Sequence, residues 1–187
     1  MKSLFFLGLL FPLLSLAQSN TYYSAEAGLG LSKGFDNNSY GLALSGNIGL
    51  SEKLFLGVSG GAIKITPFLK NVVVPVSLRA TIFPFSGEET TAIFALLEGG
   101  KLFYKETGFG GRAQNVLTGG LSWFGGVGAR FPTEGALRPF IAIGVTGMNF
   151  YNDQNIQEGG SGVDQAYRLK RLTIRAGILL PRFSNSY

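Results

Sequence analysis

The feature that most constrains this chain is a period of two that begins near Thr21 and runs almost to the end. Tyr23, Ala25, Ala27, Leu29 and Leu31 alternate with Ser24, Glu26, Gly28, Gly30 and Ser32. Such a period sends successive side chains to opposite faces of a strand, so one face is apolar and the other small and polar. The pattern returns in Tyr40, Leu42, Leu44, Ile48 and Leu50, in Leu54, Leu56 and Val58, and in Val72, Val74, Val76, Leu78, Ala80 and Ile82. Four more runs follow, near 91–104, 117–131, 138–151 and 168–181. Their apolar faces carry Ile93, Ala95 and Leu97, then Leu121, Trp123 and Val127, then Ile141, Ile143 and Val145, and last Leu172, Ile174, Ala176 and Ile178. Eight alternating runs with no helical repeat, linker or second domain predict a single antiparallel all-β domain over residues 18–187.

Alternation does not say which face is the core. A soluble barrel that holds an apolar ligand also alternates, with its polar face toward water. Composition decides between the two. Only 14% of residues are charged, against roughly 25% in a typical soluble domain, and mean hydropathy is +0.24. The polar face consists mostly of Gly, Ser, Ala, Thr and Asn, where a water-facing wall needs Lys, Glu, Asp and Arg. After the first twenty residues no stretch approaches the roughly 18–20 apolar residues of a spanning helix. Lipid outside and a narrow lumen of small side chains inside fit these facts, because closure satisfies every backbone polar group in lipid. The expected fold is an eight-stranded antiparallel up-and-down transmembrane β-barrel.

Met1–Ala17 reads as a secretory signal: Lys2 gives the basic start, and Leu4 to Leu16 an apolar core within the roughly 7–15 residues usual. Ser15 and Ala17 place small residues before a cleavage at Gln18. The connections alternate in length. Ser51–Lys53, Phe85–Thr90 and Pro132–Ala136 are short, whereas Lys33–Asn38, Thr66–Asn71, Lys105–Val116 and Asn152–Gln165 form a set that is longer on the whole. Short periplasmic turns and long outside loops are the asymmetry of outer-membrane barrels, and put both termini on the periplasmic side.

Together with the leader and the eight strands, the segments Val74-Pro75-Val76-Ser77-Leu78-Arg79 and Leu137-Arg138-Pro139-Phe140-Ile141-Ala142-Ile143-Gly144-Val145 resemble the small Gram-negative outer-membrane β-barrel domain family, of OmpA/OmpX-like architecture. The resemblance spans the whole mature chain. It implies a protein of the outer membrane that is structural or surface-interacting, in adhesion or envelope integrity, and not an enzyme. A narrow pore for ions or small solutes is the second reading. It also implies a terminal aromatic read by the barrel insertion machinery; Pro181 and Arg182 interrupt the last strand, and either Phe183 or Tyr187 fills that role.

Charge placement is more informative than the net charge of +5, because basic residues scattered over strands of an exported chain do not make a nucleic-acid surface. Lys64, Lys101, Lys105, Arg168 and Lys170 share the apolar register at the outer strand ends. From there long cations snorkel to headgroups, so they read as a belt contacting lipopolysaccharide phosphates, or as plain rim solvation. Glu26, Arg79, Glu98 and Arg175 lie on the inward register and form a lumen charge network, a gate or a static plug. Closure makes the first and last strands neighbours, so Glu26–Arg175 is the expected contact. Phe55, Phe94, Phe124, Phe140 and Met148 share that face opposite inward glycines, which favours a filled interior. Tyr23 and Phe131 at the inner end, with Tyr40, Phe103 and Tyr151 at the outer end, are expected interface aromatics. Surface partners would meet the loops 105–116 and 152–165.

Catalysis finds little support. Gly57-Val58-Ser59-Gly60-Gly61 matches a nucleophile elbow, but it lies inside a strand, and the chain has no His and no Cys. A Ser59–Lys64 dyad is split between opposite faces. The glycines at 108–111 and 159–162 open no helix, and Asp153, Glu158 and Asp164 lack calcium-loop spacing. No cofactor or metal is expected.

Overall fold

A computed structural model describes residues 22–34, 37–51, 53–84, 91–108, 115–133, 137–154 and 165–180. The leader, Phe183 and Tyr187 lie outside the described residues. Nine strand segments are present: β1 (Tyr22–Lys33), β2 (Asn38–Gly49), β3 (Leu54–Thr66), β4 (Val74–Ile82), β5 (Ala92–Phe103), β6 (Lys105–Thr107), β7 (Asn115–Arg130), β8 (Arg138–Gln154) and β9 (Gln165–Leu180). Each pairs antiparallel with its sequence neighbour except across the β5–β6 break. β1 also pairs β9, and β5 pairs β7 as well as β4. The sheet therefore closes. β5 and β6 are two pieces of one barrel strand, interrupted at Tyr104 and both paired with β7, so the closed wall has eight strands.

The sequence alternation reappears as geometry. Outward residues are bare: Leu44 is 67% exposed, Leu78 71% and Leu121 62%. Their inward neighbours Ser45, Arg79 and Ser122 are buried. A closed wall with an aliphatic exterior around its middle and charges inside pairs the backbone that crosses the hydrocarbon, the requirement for crossing a bilayer with strands.

The wall is not level. The end carrying the longer connections (here the outer end) is tall on one side, where β7, β8 and β9 have 16, 17 and 16 residues. It is low at β4, which has 9. Loop boundaries expected from polarity were accordingly too generous. Lys33 pairs with Asn38, so that connection is shorter than expected. Lys105–Thr107 is strand, and so is Asn115 onward, so 105–116 is a loop only between its ends. Asn152 pairs with Gln165, which likewise trims the 152–165 loop. The reason is plain: outside the hydrocarbon a strand keeps its hydrogen bonds but loses the need for an apolar outer face, so polarity no longer marks its end.

One irregularity crosses the wall. β7 and β8 shift register between Gly119 and Ser122, and the adjoining strand breaks at Tyr104, whose carbonyl accepts the Gly119 N–H at 3.0 Å. Bulges of this kind bend a strand and end regular pairing beside it.

Candidate functional site

Three layers fill the lumen. At the inner end Phe83, Phe94, Leu96, Phe124, Phe140 and Ala142 form a buried apolar cluster, with Phe55 and Leu179 against it. Its rings lie over glycines. Phe94 covers Gly128, Phe124 covers Gly126 and Gly144, and Phe140 covers Gly177, where a Cβ would meet a ring carbon. Phe94 and Phe140 meet edge to face at 6.1 Å. The bulky-against-glycine packing read from the inward register is the packing found.

Above this plug lies the ionic layer. Arg79 binds Glu26 through Nη2, reaches Glu98 at 3.6 Å, and donates to Ser45 at 3.0 Å. Glu98 in turn binds Arg175 at 2.7 Å. The four expected residues do come together, but with a different partner choice. Glu26 and Arg175 form no direct pair; β1–β9 register sets Glu26 against Leu179, and Arg175 against Gly30. Register decides the partners: Arg79 and Glu98 are directly opposed on β4 and β5, Glu26 and Arg175 are out of register on β1 and β9, and Glu26–Arg79 and Glu98–Arg175 meet across the lumen. Two acids face two arginines, and the Arg175 guanidinium stacks on Phe124 at 3.8 Å. Asn47 donates to Glu26 at 3.4 Å. A tier of hydroxyls, Ser32, Thr173 and Thr146, continues outward at 2.8 and 2.6 Å. A chamber of about 80 Å³ remains inside, lined among others by Ser45, Ser59, Ser77 and Ser122, room for several waters.

The third layer closes the outer mouth. Ile65, Leu69, Val73, Leu102, Leu117, Met148 and Phe150 are buried together, with Phe68, Tyr104 and Tyr167 packed on them. The connection from β3 to β4 folds inward to build this layer. Phe68 lies 6.2 Å from the ring of Phe150 and 5.8 Å from that of Tyr167. Leu69 N–H bonds to Ile65 O at 3.0 Å. Glu106, buried at 6% exposure, accepts from Tyr104 Oη and from Lys70 N–H at 3.4 Å. The shortness of this connection, odd for an outside loop, is that of a strap spanning the low wall. Sequence reasoning missed it; the signal was Phe68 and Leu69, two large apolar residues at the centre of a supposed solvent loop.

On the outside, Lys101, Lys105, Arg168 and Lys170 are exposed on the lipid-facing register. Lys64 is half-buried, and its Nζ donates to the Lys70 carbonyl. The cations do not make an even ring. Lys64, Lys70, Lys101 and Lys105 gather on β3 to β6; Arg168 and Lys170 on β9 join Lys33 on β1, a residue missed because it was assigned to a loop. Tyr40, Phe103, Tyr151 and Phe131 are exposed at the expected ends. Tyr23 falls in β1, with its side chain outside the described residues. Ser59 is buried and faces inward, away from Lys64. No group of three metal-ligating side chains occurs among the described residues; Asp153, Glu158 and Asp164 have side chains outside them.

No family model and no curated protein matches this sequence. Among solved structures, Neisserial surface protein A overlays 87% of this chain and 97% of its own, at 12% identity and a TM-score of 0.51. The chain has the fold of the small outer-membrane barrels. Two others overlap it less closely. An outer membrane channel from Pseudomonas putida F1 has 10% identity, covers 88% of this chain and 97% of its own, and scores 0.27. The transport unit of the autotransporter AIDA-I from Escherichia coli has 11% identity, covers 88% and 91%, and scores 0.23. Neither overlap is close enough to bear on the fold.

Proposed function

We propose that this is a non-enzymatic barrel of the outer membrane with a structural or surface-interaction role, in adhesion or envelope integrity. The observation that carries the reading is a lumen filled by two apolar plugs around a neutral ionic layer, inside an aliphatic exterior. A filled lumen argues against the pore, and an aliphatic exterior argues against a soluble barrel. The absence of His and Cys from the sequence removes the usual nucleophile–base pairs. The rim cations meet lipopolysaccharide phosphates, and recognition of other surfaces falls to the outer connections, whose central residues are outside those described.

The test is gel mobility of the outer-membrane fraction, unheated and boiled, with the band sequenced from its N-terminus. A closed barrel keeps its fold in cold detergent and shifts on boiling. The reading expects that shift and a mature chain starting at Gln18. A heat-insensitive band in the soluble periplasmic fraction contradicts it. Within the reading, shortening the loops at 108–114 and 155–164 is expected to change surface adhesion while leaving the shift intact; unchanged adhesion removes the surface-interaction role and leaves envelope structure.

A further inference from the structure

The low part of the wall holds a cleft that the belt of cations does not by itself explain. β4 begins only at Val74, which pairs with Phe103. β6 continues outward paired with β7 alone. The flank of Lys105–Thr107 away from β7 therefore has no paired strand, and a notch opens in the wall there; β9 likewise runs on past the end of β1, but no strap crosses beside it among the described residues. An open cleft of about 530 Å³ occupies it, lined by Asn71, Val72, Lys101, Phe103, Lys105 and Thr118 among others.

Its chemistry is two-sided. Val72 is 49% exposed and Phe103 53%, and both continue the aliphatic exterior formed by Val74, Val76 and Leu121. Lys101 and Lys105 stand along one wall, and the Lys101 ammonium lies 5.7 Å over the Phe103 ring. Lys70 overhangs from the strap, its side chain 77% exposed. Lys64 is held at the same strap by the Lys70 carbonyl. Among the described residues the acid at this notch is Glu106, buried on the lumen side, with Tyr104 Oη on it and Lys70 Nζ 4.0 Å away. Seen from outside, cations and apolar side chains share the cleft: Lys101 pairs level with Val76, its ammonium reaches outward over the Phe103 ring, and Lys105 stands beyond both.

We infer that this notch is a discrete binding site for one lipid carrying phosphate on a sugar headgroup, the phosphate held by Lys70, Lys101 and Lys105 and the acyl chains running inward from it over the exposed Val74, Val76 and Leu78. The geometry asks for that occupant on three counts. The cleft is continuous with the lipid-facing surface, so its ligand reaches it from within a leaflet. Several ammonium groups in one sector call for more than one negative charge. Asn71 lines the cleft, and Thr118, level with Lys105, donates its hydroxyl to the Tyr151 carbonyl at 3.3 Å and keeps its oxygen as an acceptor, which suits a headgroup with hydroxyls rather than a bare phosphate. This rests on the outer-membrane reading above, and narrows its belt to one saturable position.

Native mass spectrometry of the folded full chain in detergent, titrated with bisphosphorylated lipid A, dephosphorylated lipid A or phosphatidylglycerol, tests it. One bisphosphorylated lipid A is expected to bind saturably, in preference to the other two. Lys70→Gln/Lys101→Gln/Lys105→Gln should weaken it on the order of a hundredfold, since each cation contributes separately near an anionic headgroup. The pair Arg168→Gln/Lys170→Gln, of the same chemistry on the other arc, should change it by less than about threefold. Equal losses in the two variants, or equal binding of phosphatidylglycerol, overturn the discrete site in favour of a diffuse belt. Each variant is first shown to shift on boiling. If the triple variant fails to fold, the preference of the unaltered chain for bisphosphorylated over dephosphorylated lipid A decides. A chain that shifts in the membrane fraction yet shows no such preference overturns the site alone, whereas a soluble chain without a shift overturns the outer-membrane reading with it.

Discussion

The inner and outer plugs are both packed from aromatic and aliphatic side chains, but they come from different parts of the chain. The inner one is made by the strands themselves. Phe94, Phe124 and Phe140 occupy inward positions of β5, β7 and β8, and glycines on adjacent strands make room for their rings. Backbone hydrogen bonds of the closed sheet hold each ring in place, so opening this plug means opening the barrel. The outer one depends on a strap. Phe68 and Leu69 belong to a connection that folds into the mouth and is tied to β6 through Glu106. The rest of that layer, Ile65, Leu102, Leu117, Met148 and Phe150, is carried by strands, so the expectation is that the strap loosens without unpairing the wall. One lumen thus has a seal built mainly from the wall at one end and, at the other, a seal completed by a connection.

Substitutions sharpen this contrast. The largest effect is expected between the plugs, at Arg79. Arg79→Met leaves Glu26 and Glu98 buried beside an apolar stem, and removing one partner of a buried pair costs about 3–5 kcal/mol. The measure is the urea midpoint of the heat-modifiable band. Because Arg79 serves two carboxylates, Glu26→Gln combined with Arg79→Met should recover part of the loss, and no recovery would mean that the pairing is not what stabilises the layer. Next comes Phe140→Ala, expected to lower global stability by roughly 3–5 kcal/mol through the cavity left between Gly28 and Gly177. Leu69→Ala removes a buried side chain of comparable depth, but should move the global midpoint by less than about 1 kcal/mol, because a strap that opens locally decouples from the wall. Its effect should appear instead as faster hydrogen exchange at the Leu69 amide. Equal global losses for Phe140→Ala and Leu69→Ala would erase the distinction between the two plugs. The smallest effect belongs to Lys70→Gln, within about 0.5 kcal/mol, since an exposed ammonium adds little to the strap's tie.

The same contrast explains what was readable in the chain. Most of what strand alternation builds was legible: the eight runs, the outward Leu29, Leu44 and Val76, the inward Phe94 and Phe140, and four lumen charges; Arg171, inward on the register of Arg175 and buried, was missed. Each of these depends on the period of two, which survives as long as one face meets lipid. Partner choice among the charges was not legible, because Glu26 reaches Arg79 across the lumen, and the stagger of eight closed strands is not written in any one of them. Nor was the strap. Phe68 and Leu69 sit in a segment with no period, and only the low rim at β4 gives them somewhere to fold. The extensions at Lys33, Lys105–Thr107 and Asn152–Gln154 were missed for a related reason: beyond the hydrocarbon their outward residues face headgroups or water, so a polar residue there no longer signals a loop.

Single-channel recording of the purified full chain in planar bilayers tests the sealed lumen most directly. Two plugs and a paired ionic layer predict conductance at the leak baseline for the unaltered protein, and still at baseline for Leu69→Ala, because the inner plug remains shut. Steady, discrete conductance steps from the unaltered chain would contradict the account and make the lumen a pore.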